Sequence, residues 1–349
     1  MRQSKRRKYI IGLLLLITNT GTGLSQGLFD TLPVIESAEV HWVDQFPSKE
    51  KKQHKNKHGL GYILSRIAGV NKSEQIALNK PMAIFANNPE DIWVLDQGNA
   101  NLFLLKNNLA NVPRVFARQK NNFQSLVGIC AIPDKGTLFT DSRLNKIFFL
   151  KNDKKSLNVF NDTLILNQPT GIAFNKVKSE IWVIETAAHS ISILDKSGKK
   201  IRSFGSRGNG NGEFNFPTSI WIDDQGIAYV VDALNYRIQI FDKEGKFVST
   251  FGEAGNSSGY FAMPKGIATD SYGNIYVTDA LFHNVQIFDK QGRFLYSFGT
   301  QGREPEQFWM PAGIFIDKQN IIYIADSYNS RIQLFNLTNI ITKNEKRHN

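Results

Sequence analysis

The chain has 349 residues, 41% hydrophobic and 11% aromatic, a globular composition with apolar material for one large core or two modest ones. Formal net charge is +11, but the excess sits at the ends: residues 59–342 hold 29 basic against 25 acidic side chains. A nucleic-acid binder needs a basic stripe on its folded body, so that class loses most of its support, and no nucleic-acid partner is expected.

The chain begins MRQSKRRKYIIGLLLLITNTGTGLSQ, with five positive charges by residue 8 and an apolar run over residues 9–17, followed by small polar residues. That layout predicts a secretory signal over 1–25, cut near Ser25. Nine apolar residues are few for a bilayer span. A retained anchor is the alternative and would be the only membrane attachment. The mature protein is therefore expected to be exported, to the periplasm or the extracellular space. Residues 26–58, ending in KEKKQHKNKH, read as a basic, largely flexible segment that could meet acidic surfaces or lipid headgroups.

From residue 82 onward the chain repeats itself, and such a period decides the architecture before any local reading does. Each unit opens with a short apolar run: MAIFA (82), LVGICAI (126), TGIAF (170), TSIWID (218), KGIATD (265) and AGIFID (312). A second run follows and ends in an acid, at Asp96, Asp141, Glu185, Asp232, Asp279 and Asp326, spaced 45, 44, 47, 47 and 47. Third runs such as SISIL, RIQIF and NVQIF alternate as half-buried strands do. DKSGK, DKEGK and DKQGR then supply tight hairpins into fourth runs such as KIRSFG and RFLYSFG. The prediction is an all-β, six-bladed β-propeller of four-stranded blades.

Small residues test the radial geometry. Ala83, Gly128, Gly171, Ser219, Gly266 and Gly313 recur early in each first strand, where strands converging on an axis leave no room for a large side chain. The sixth unit stops near residue 337 without a fourth strand, an edge that native folds close. GYILSRIAG, 61–69, matches RFLYSFG in pattern and is expected to fill that place. The propeller is accordingly placed at 59–337, with a tail at 338–349 and a monomer as the expected state. The lone Cys130, among apolar neighbours in LVGICAIP, rules out an internal disulfide and reads as a buried core residue.

PTSIWIDDQGIAYVVDALNYRIQIFD, PKGIATDSYGNIYVTDALFHNVQIFD and PAGIFID…IIYIADSYNSRIQLF resemble the NHL repeat, with its Pro-x-Gly-Ile start, strand ending in Asp, and Asn-x-Arg-Ile. The match is strong over the last three units, fair in the third and degenerate in the first two. GEFNFP, GYFAMP and EQFWMP are similar to the connections of exported bacterial NHL proteins. The resemblance implies a six-bladed propeller. It implies no single activity, since similar propellers serve as protein-binding platforms, RNA binders and a few lyases or hydrolases.

In such a blade the turn between second and third strands and the connection between blades open on one face. That face gathers the six acids and the positions four beyond them: Ala100, Asn145, His189, Tyr236, His283 and Ser330. The acids, with Asn235, Tyr236 and Asn329, form the candidate binding rim, although an Asp at a strand end also shapes its turn. Arg237 and Arg331 are expected to pair locally or with the next blade.

His189 in ETAAH and His283 in DALFH are similar to an Asp-x-x-x-His arrangement of zinc-dependent amidating lyases that cleave peptidyl-hydroxyglycine. A catalytic zinc generally needs three protein ligands, and no blade supplies a third histidine. No metal or cofactor is therefore expected, with zinc or calcium as the alternative. Phe214, Phe216, Tyr260, Phe261, Phe308 and Trp309 either plug the gaps between blades or anchor a partner. The function expected is an exported, non-enzymatic propeller that binds a protein or peptide on the acid-bearing face. The alternative is a metal-dependent lyase or hydrolase.

Overall fold

Alternating apolar residues, glycine-bearing hairpins and strand-end acids recur through the chain, and each recurrence folds into one antiparallel sheet of four strands. A computed structural model describes residues 38–47, 77–88, 91–106, 114–116, 122–152, 156–161 and 163–339. Blade 1 is Pro81–Asn88, Asp91–Asp96, Asn101–Lys106 and Arg114–Phe116. Blade 2 is Leu126–Ile132, Gly136–Asp141, Lys146–Lys151 and Leu157–Val159. Blade 3 is Pro169–Asn175, Glu180–Glu185, Ser190–Leu194 and Lys200–Phe204. Blade 4 is Pro217–Ile222, Ala228–Asp232, Arg237–Phe241 and Phe247–Phe251. Blade 5 is Pro264–Thr269, Ile275–Asp279, Asn284–Phe288 and Phe294–Phe298.

Blade 6 combines Pro311–Ile316, Ile321–Asp326 and Arg331–Asn339 with Ala38–Phe46, so the N-terminal part of the chain supplies its outermost strand. The ring closes as a six-bladed propeller with an N-terminal strand. That strand differs from the expected one. It comes from the segment read as flexible, and the 61–69 run lies outside the described residues, as do the leader, the lysine-rich 49–58 and the 343–349 tail.

The physical reason is a bulge. Register shifts between Trp42 and Asp44, which leaves one residue unpaired and turns the strand's later side chains to the other face. Val40 and Trp42 thus pack among residues of blades 5 and 6, while Phe46 packs among residues of blades 6 and 1. A strand that changes faces midway, with Glu39, His41 and Asp44 interspersed, does not show simple alternation.

The core is divided among the gaps between blades. Six apolar clusters occupy the successive interfaces, for instance Trp93, Leu95, Phe139 and Phe148 between blades 1 and 2. Second strands are buried on both faces, as in GTLFTD of blade 2, because a neighbouring blade covers each side. Inner strands meet as tightly as their small residues imply. A Cβ on Gly128 would lie 2.2 Å from the Thr170 carbonyl oxygen of the next blade, and one on Gly266 2.6 Å from that of Ala312. Hydroxyls stitch the same contacts: Thr140 donates to the Thr170 carbonyl and Thr278 to that of Ala312. Each stitch crosses from one blade to the next, so the ring is held at its centre as well as through its apolar gaps.

Candidate functional site

Each second strand ends in its acid, and the chain then turns through a short loop to the third strand. The residue four beyond the acid adopts a left-handed conformation in all six blades, with φ between 49° and 56° at Ala100, Asn145, His189, Tyr236, His283 and Ser330. That geometry returns the chain antiparallel after a minimal turn.

The acids lie beneath this face. Asp96, Asp141, Asp232, Asp279 and Asp326 are fully buried and Glu185 is 5% exposed. Each carboxylate accepts an amide from the connection that enters its own blade: Asn79 to Asp96, Gln124 to Asp141, Asn167 to Glu185, Asn215 to Asp232, Ala262 to Asp279 and Trp309 to Asp326. They clamp loop to strand, and the five aspartates present no oxygen to solvent.

Asn235 and Asn329 belong to the same clamps. Asn235 donates through Nδ2 to Asp232 at 2.8 Å and to the Gly208 carbonyl at 2.9 Å. Asn329 repeats this with Asp326 and Gly302. Arg331 pairs with Asp326 at 2.7 Å and also donates to Gln45 of the closing strand and to the carbonyls of Arg303, Glu304 and Gln307. Arg237 pairs with Asp232 at 2.9 Å in the equivalent position. Burial raises the Asp326 carboxyl above its ordinary pKa, opposed by the Trp309 amide, Asn329 and Arg331. Tyr236 stands half-buried at the surface beside its clamp.

The two histidines are ties of another kind. His189 Nδ1 accepts the amide of Phe216, and His283 Nδ1 accepts that of Met310. Both donors immediately precede the proline that opens the next blade. Asn145 Oδ1 does the same for the amide of Gln168. An acceptor at this position therefore anchors the following blade, and imidazole is one way to provide it. Among the described residues no group of three or more His, Cys, Asp or Glu is placed to hold a metal ion. His189 and His283 each already give a ring nitrogen to the backbone, so the donor set does not fit a zinc centre. Cys130 is buried, and burial pushes its thiol pKa well above the ordinary value, leaving it a thiol.

Over blades 4 to 6, large apolar side chains reach solvent on this face. Leu234 is 50% exposed, Leu281 53% and Tyr328 51%. They occupy one position, two residues beyond the acid, in blades 4, 5 and 6, where blades 1 to 3 carry Gly98, Arg143 and Ala187. The connecting aromatics divide by position. Phe214, Phe261 and Phe308 are fully buried between blades, whereas Phe216 is 36% exposed, and Trp309 packs 6.2 Å from the Tyr328 ring with the Arg303 guanidinium over it.

The face surrounds the mouth of an axial channel of about 1330 Å³ lined by the six inner strands. Gln97, Ser125, Ser142 and Gln168 line it with amides and hydroxyls at this end. Deeper in, the Trp221 ring meets Phe315 at 5.7 Å and Phe315 meets Phe85 at 5.1 Å, while Trp221 Nε1 donates to Thr269. An aromatic layer from blades 4, 6 and 1 thus narrows the channel.

This architecture is that of a six-bladed β-propeller, and comparison with known proteins agrees. A family model described as a 6-bladed beta-propeller, DUF5128, matches residues 161–228 and 267–349. Among solved structures, the chain is similar to an auxiliary nutrient binding protein from Bacteroides thetaiotaomicron, with TM-score 0.60 and 14% identity over 75% of this chain and 70% of that one. It is also similar to virginiamycin B lyase from Staphylococcus aureus, with TM-score 0.56 and 15% identity over 75% and 98%. A gluconolactonase of Xanthomonas campestris gives TM-score 0.57 and 12% identity over 75% and 87%. No curated protein sequence matches. At these identities the likeness is one of fold, and the fold carries several activities. Among the described residues no helix is long and apolar enough to cross a membrane.

Proposed function

We propose that this is an exported, NHL-type binding propeller that recognises a protein or peptide partner on the face of the strand-end turns, over blades 4 to 6. The observation that carries the reading is the arc of Leu234, Leu281 and Tyr328, three large apolar side chains about half exposed at equivalent positions of successive blades. Scattered apolar residues are ordinary on a surface, and the reading rests on three being presented at one position of successive blades on a single face. The turns that present the arc are held by buried carboxylates, so little conformational freedom is lost when a partner docks. Tyr328, with Trp309 against it and Phe216 beside the blade 4 entry, supplies the aromatic type that dominates binding energy. The likeness to a nutrient-binding propeller agrees with a binding role at the level of fold, and the signal-like leader agrees with export.

The test is selection of peptides on the wild-type protein, followed by titration against a Leu234→Glu/Leu281→Glu/Tyr328→Glu variant. We expect affinity to fall at least about tenfold, since three exposed contacts each contribute on the order of 1 kcal/mol or more. The thermal midpoint should stay within about 2 °C, as exposed substitutions leave the fold alone. Equal affinity for both proteins would overturn the assignment of the face.

A further inference from the structure

Lys265 occupies the first position after the opening proline of blade 5, where the other blades carry Met82, Val127, Thr170, Thr218 and Ala312. It is the one charged residue of that ring, it is half-buried, and it lines the mouth of the axial channel. A second ammonium on this face acts on it electrostatically. Lys80, which precedes the first strand of blade 1, lies over the Tyr328 ring with Nζ 5.2 Å from its centroid. Between blades 5 and 1 the ring position is Ala312, the smallest of the six. Among the described residues neither lysine forms an ion pair.

Two like charges held near one another, one of them half out of water, destabilise the fold that holds them. Burial lowers the Lys265 pKa, Lys80 lowers it further, and Asp279 partly offsets both. Asp279 is committed to the amides of Ala262, Met263, Leu281 and Phe282, so it moderates the field without closing on either lysine. The other five blades fill the position with apolar or hydroxyl side chains, which shows that the fold itself has no need of a cation there. A stability cost retained at one position is the kind of trade-off that functional sites carry.

We propose that Lys265 and Lys80 form the seat for a carboxylate at the mouth of the channel, carried either by a small acid or by a peptide held on the surrounding face. The peptide form rests on the reading of that face given above. Two ammonium groups on one face, neither in an ion pair among the described residues, suit the negative charge of a carboxylate. No arginine is among the side chains that line the channel, so a carboxylate at its mouth would be held as a point charge rather than in bidentate geometry. The amides and hydroxyls of Gln97, Ser125, Ser142 and Gln168 complete a polar mouth above the aromatic layer.

The experiment is a thermal-midpoint titration of the full chain with glutarate against chloride at matched ionic strength. Wild type is expected to rise by about 2–4 °C at saturating glutarate. Lys265→Met should show no glutarate response, yet melt at or above the wild-type midpoint without ligand because the half-buried charge is gone. Lys265→Gln should repeat the loss with a polar side chain, and Lys80→Met should weaken the response. No glutarate-specific rise in wild type, or an equal rise in Lys265→Met, would overturn the proposal.

A second arm separates the two sources of the carboxylate. Selected peptides are compared as free acids and as C-terminal amides. A preference of about tenfold or more for the free acid, lost in Lys265→Met, would support the peptide form. Peptides that bind Lys265→Met as tightly as wild type, with no glutarate response in either protein, would sink the lysine seat and leave the apolar face standing. A glutarate response with no peptide bound would sink the face and retain the seat for small acids.

Discussion

In blade 2, Asp141 is held by four backbone amides, from Gln124, Ser125, Arg143 and Leu144. In blade 6, Asp326 takes a single amide, from Trp309, and otherwise the side chains of Asn329, Arg331 and Gln333. The two acids sit at the same corner of equivalent blades. A carboxylate held by backbone puts no demand on its neighbours' side chains, whereas one held by side chains requires Asn, Arg and Gln at the third, fifth and seventh places beyond it. That difference accounts for the full Asn, Arg and Gln set in the fourth and sixth units, which the first two lack. Blade 5 is clamped as blade 2 is, with Asp279 held by four amides, and its strong likeness to the repeat comes from other positions.

Loss of the strand that ties the two kinds of blade together should have the largest effect. Deleting Ala38–Phe46 would strip blade 6 of its outer strand, leave Arg331 without Gln45, and expose Phe335 and Leu337. We expect no cooperative unfolding transition in that protein by circular dichroism. A transition like the wild type's would break the closure.

Next comes the side-chain clamp itself. Arg331→Met leaves the buried Asp326 carboxylate without its cation, and removing one partner of a buried pair costs about 3–5 kcal/mol. Arg143→Met in blade 2 changes an exposed side chain whose contribution to the clamp is its backbone amide, and should stay within about 0.5 kcal/mol. Urea unfolding of both variants compares the blades directly. Similar losses would mean that the two clamps are not different in kind.

The opposite face offers a milder contrast. In blades 4 to 6 a buried tyrosine hydroxyl donates to the acid of the turn between first and second strands: Tyr229 to Asp223, Tyr276 to Asp270 and Tyr323 to Asp317. Burial, and then the neighbouring carboxylate, push all three tyrosine pKa values above 10.0. A group with a raised folded pKa lends stability that is present below its unfolded pKa and lost as pH rises through the folded one. Stability should therefore fall above pH 10, by up to about 1.4 kcal/mol per pH unit for each tyrosine. The Tyr229→Phe/Tyr276→Phe/Tyr323→Phe protein should show a flatter alkaline limb in urea unfolding. An unchanged slope would mean that the pairs are not coupled to folding.

The ring was legible in the chain because a period of 44 to 47 residues, strand-end acids and small residues at the axis recur through all six blades. Trp42 and Phe46 were not, because the bulge between them breaks the alternation by which strands are recognised. At the site, the acids' positions were readable and the state of their oxygens was not. Whether a carboxylate faces water depends on where the Trp309 or Gln124 amide lands, which no local pattern encodes. The exposed arc did leave a signal that could have been used. Position two beyond the acid is Gly98, Arg143 and Ala187 in the first three blades and Leu234, Leu281 and Tyr328 in the last three, a change from small or polar to large apolar on a face already known to be open. Lys265 left a similar mark as the one charge in a ring of uncharged residues.

The smallest effect bears on the histidines. His283 accepts the Met310 amide where blade 2 uses Asn145 to accept that of Gln168, so the two side chains are interchangeable if the bond is all the position requires. His283→Asn should keep the acceptor and stay within about 0.5 kcal/mol of wild type. His283→Ala leaves the amide of Met310 without its partner, and should cost about 1–2 kcal/mol. The left-handed backbone at φ 54° sharpens the comparison, because asparagine tolerates that conformation better than alanine does. His283→Gly removes the strain as well as the acceptor, so its loss measures the bond alone. If Asn and Ala cost the same and Gly restores stability, the position is a matter of backbone geometry, and the tie to the next blade contributes nothing.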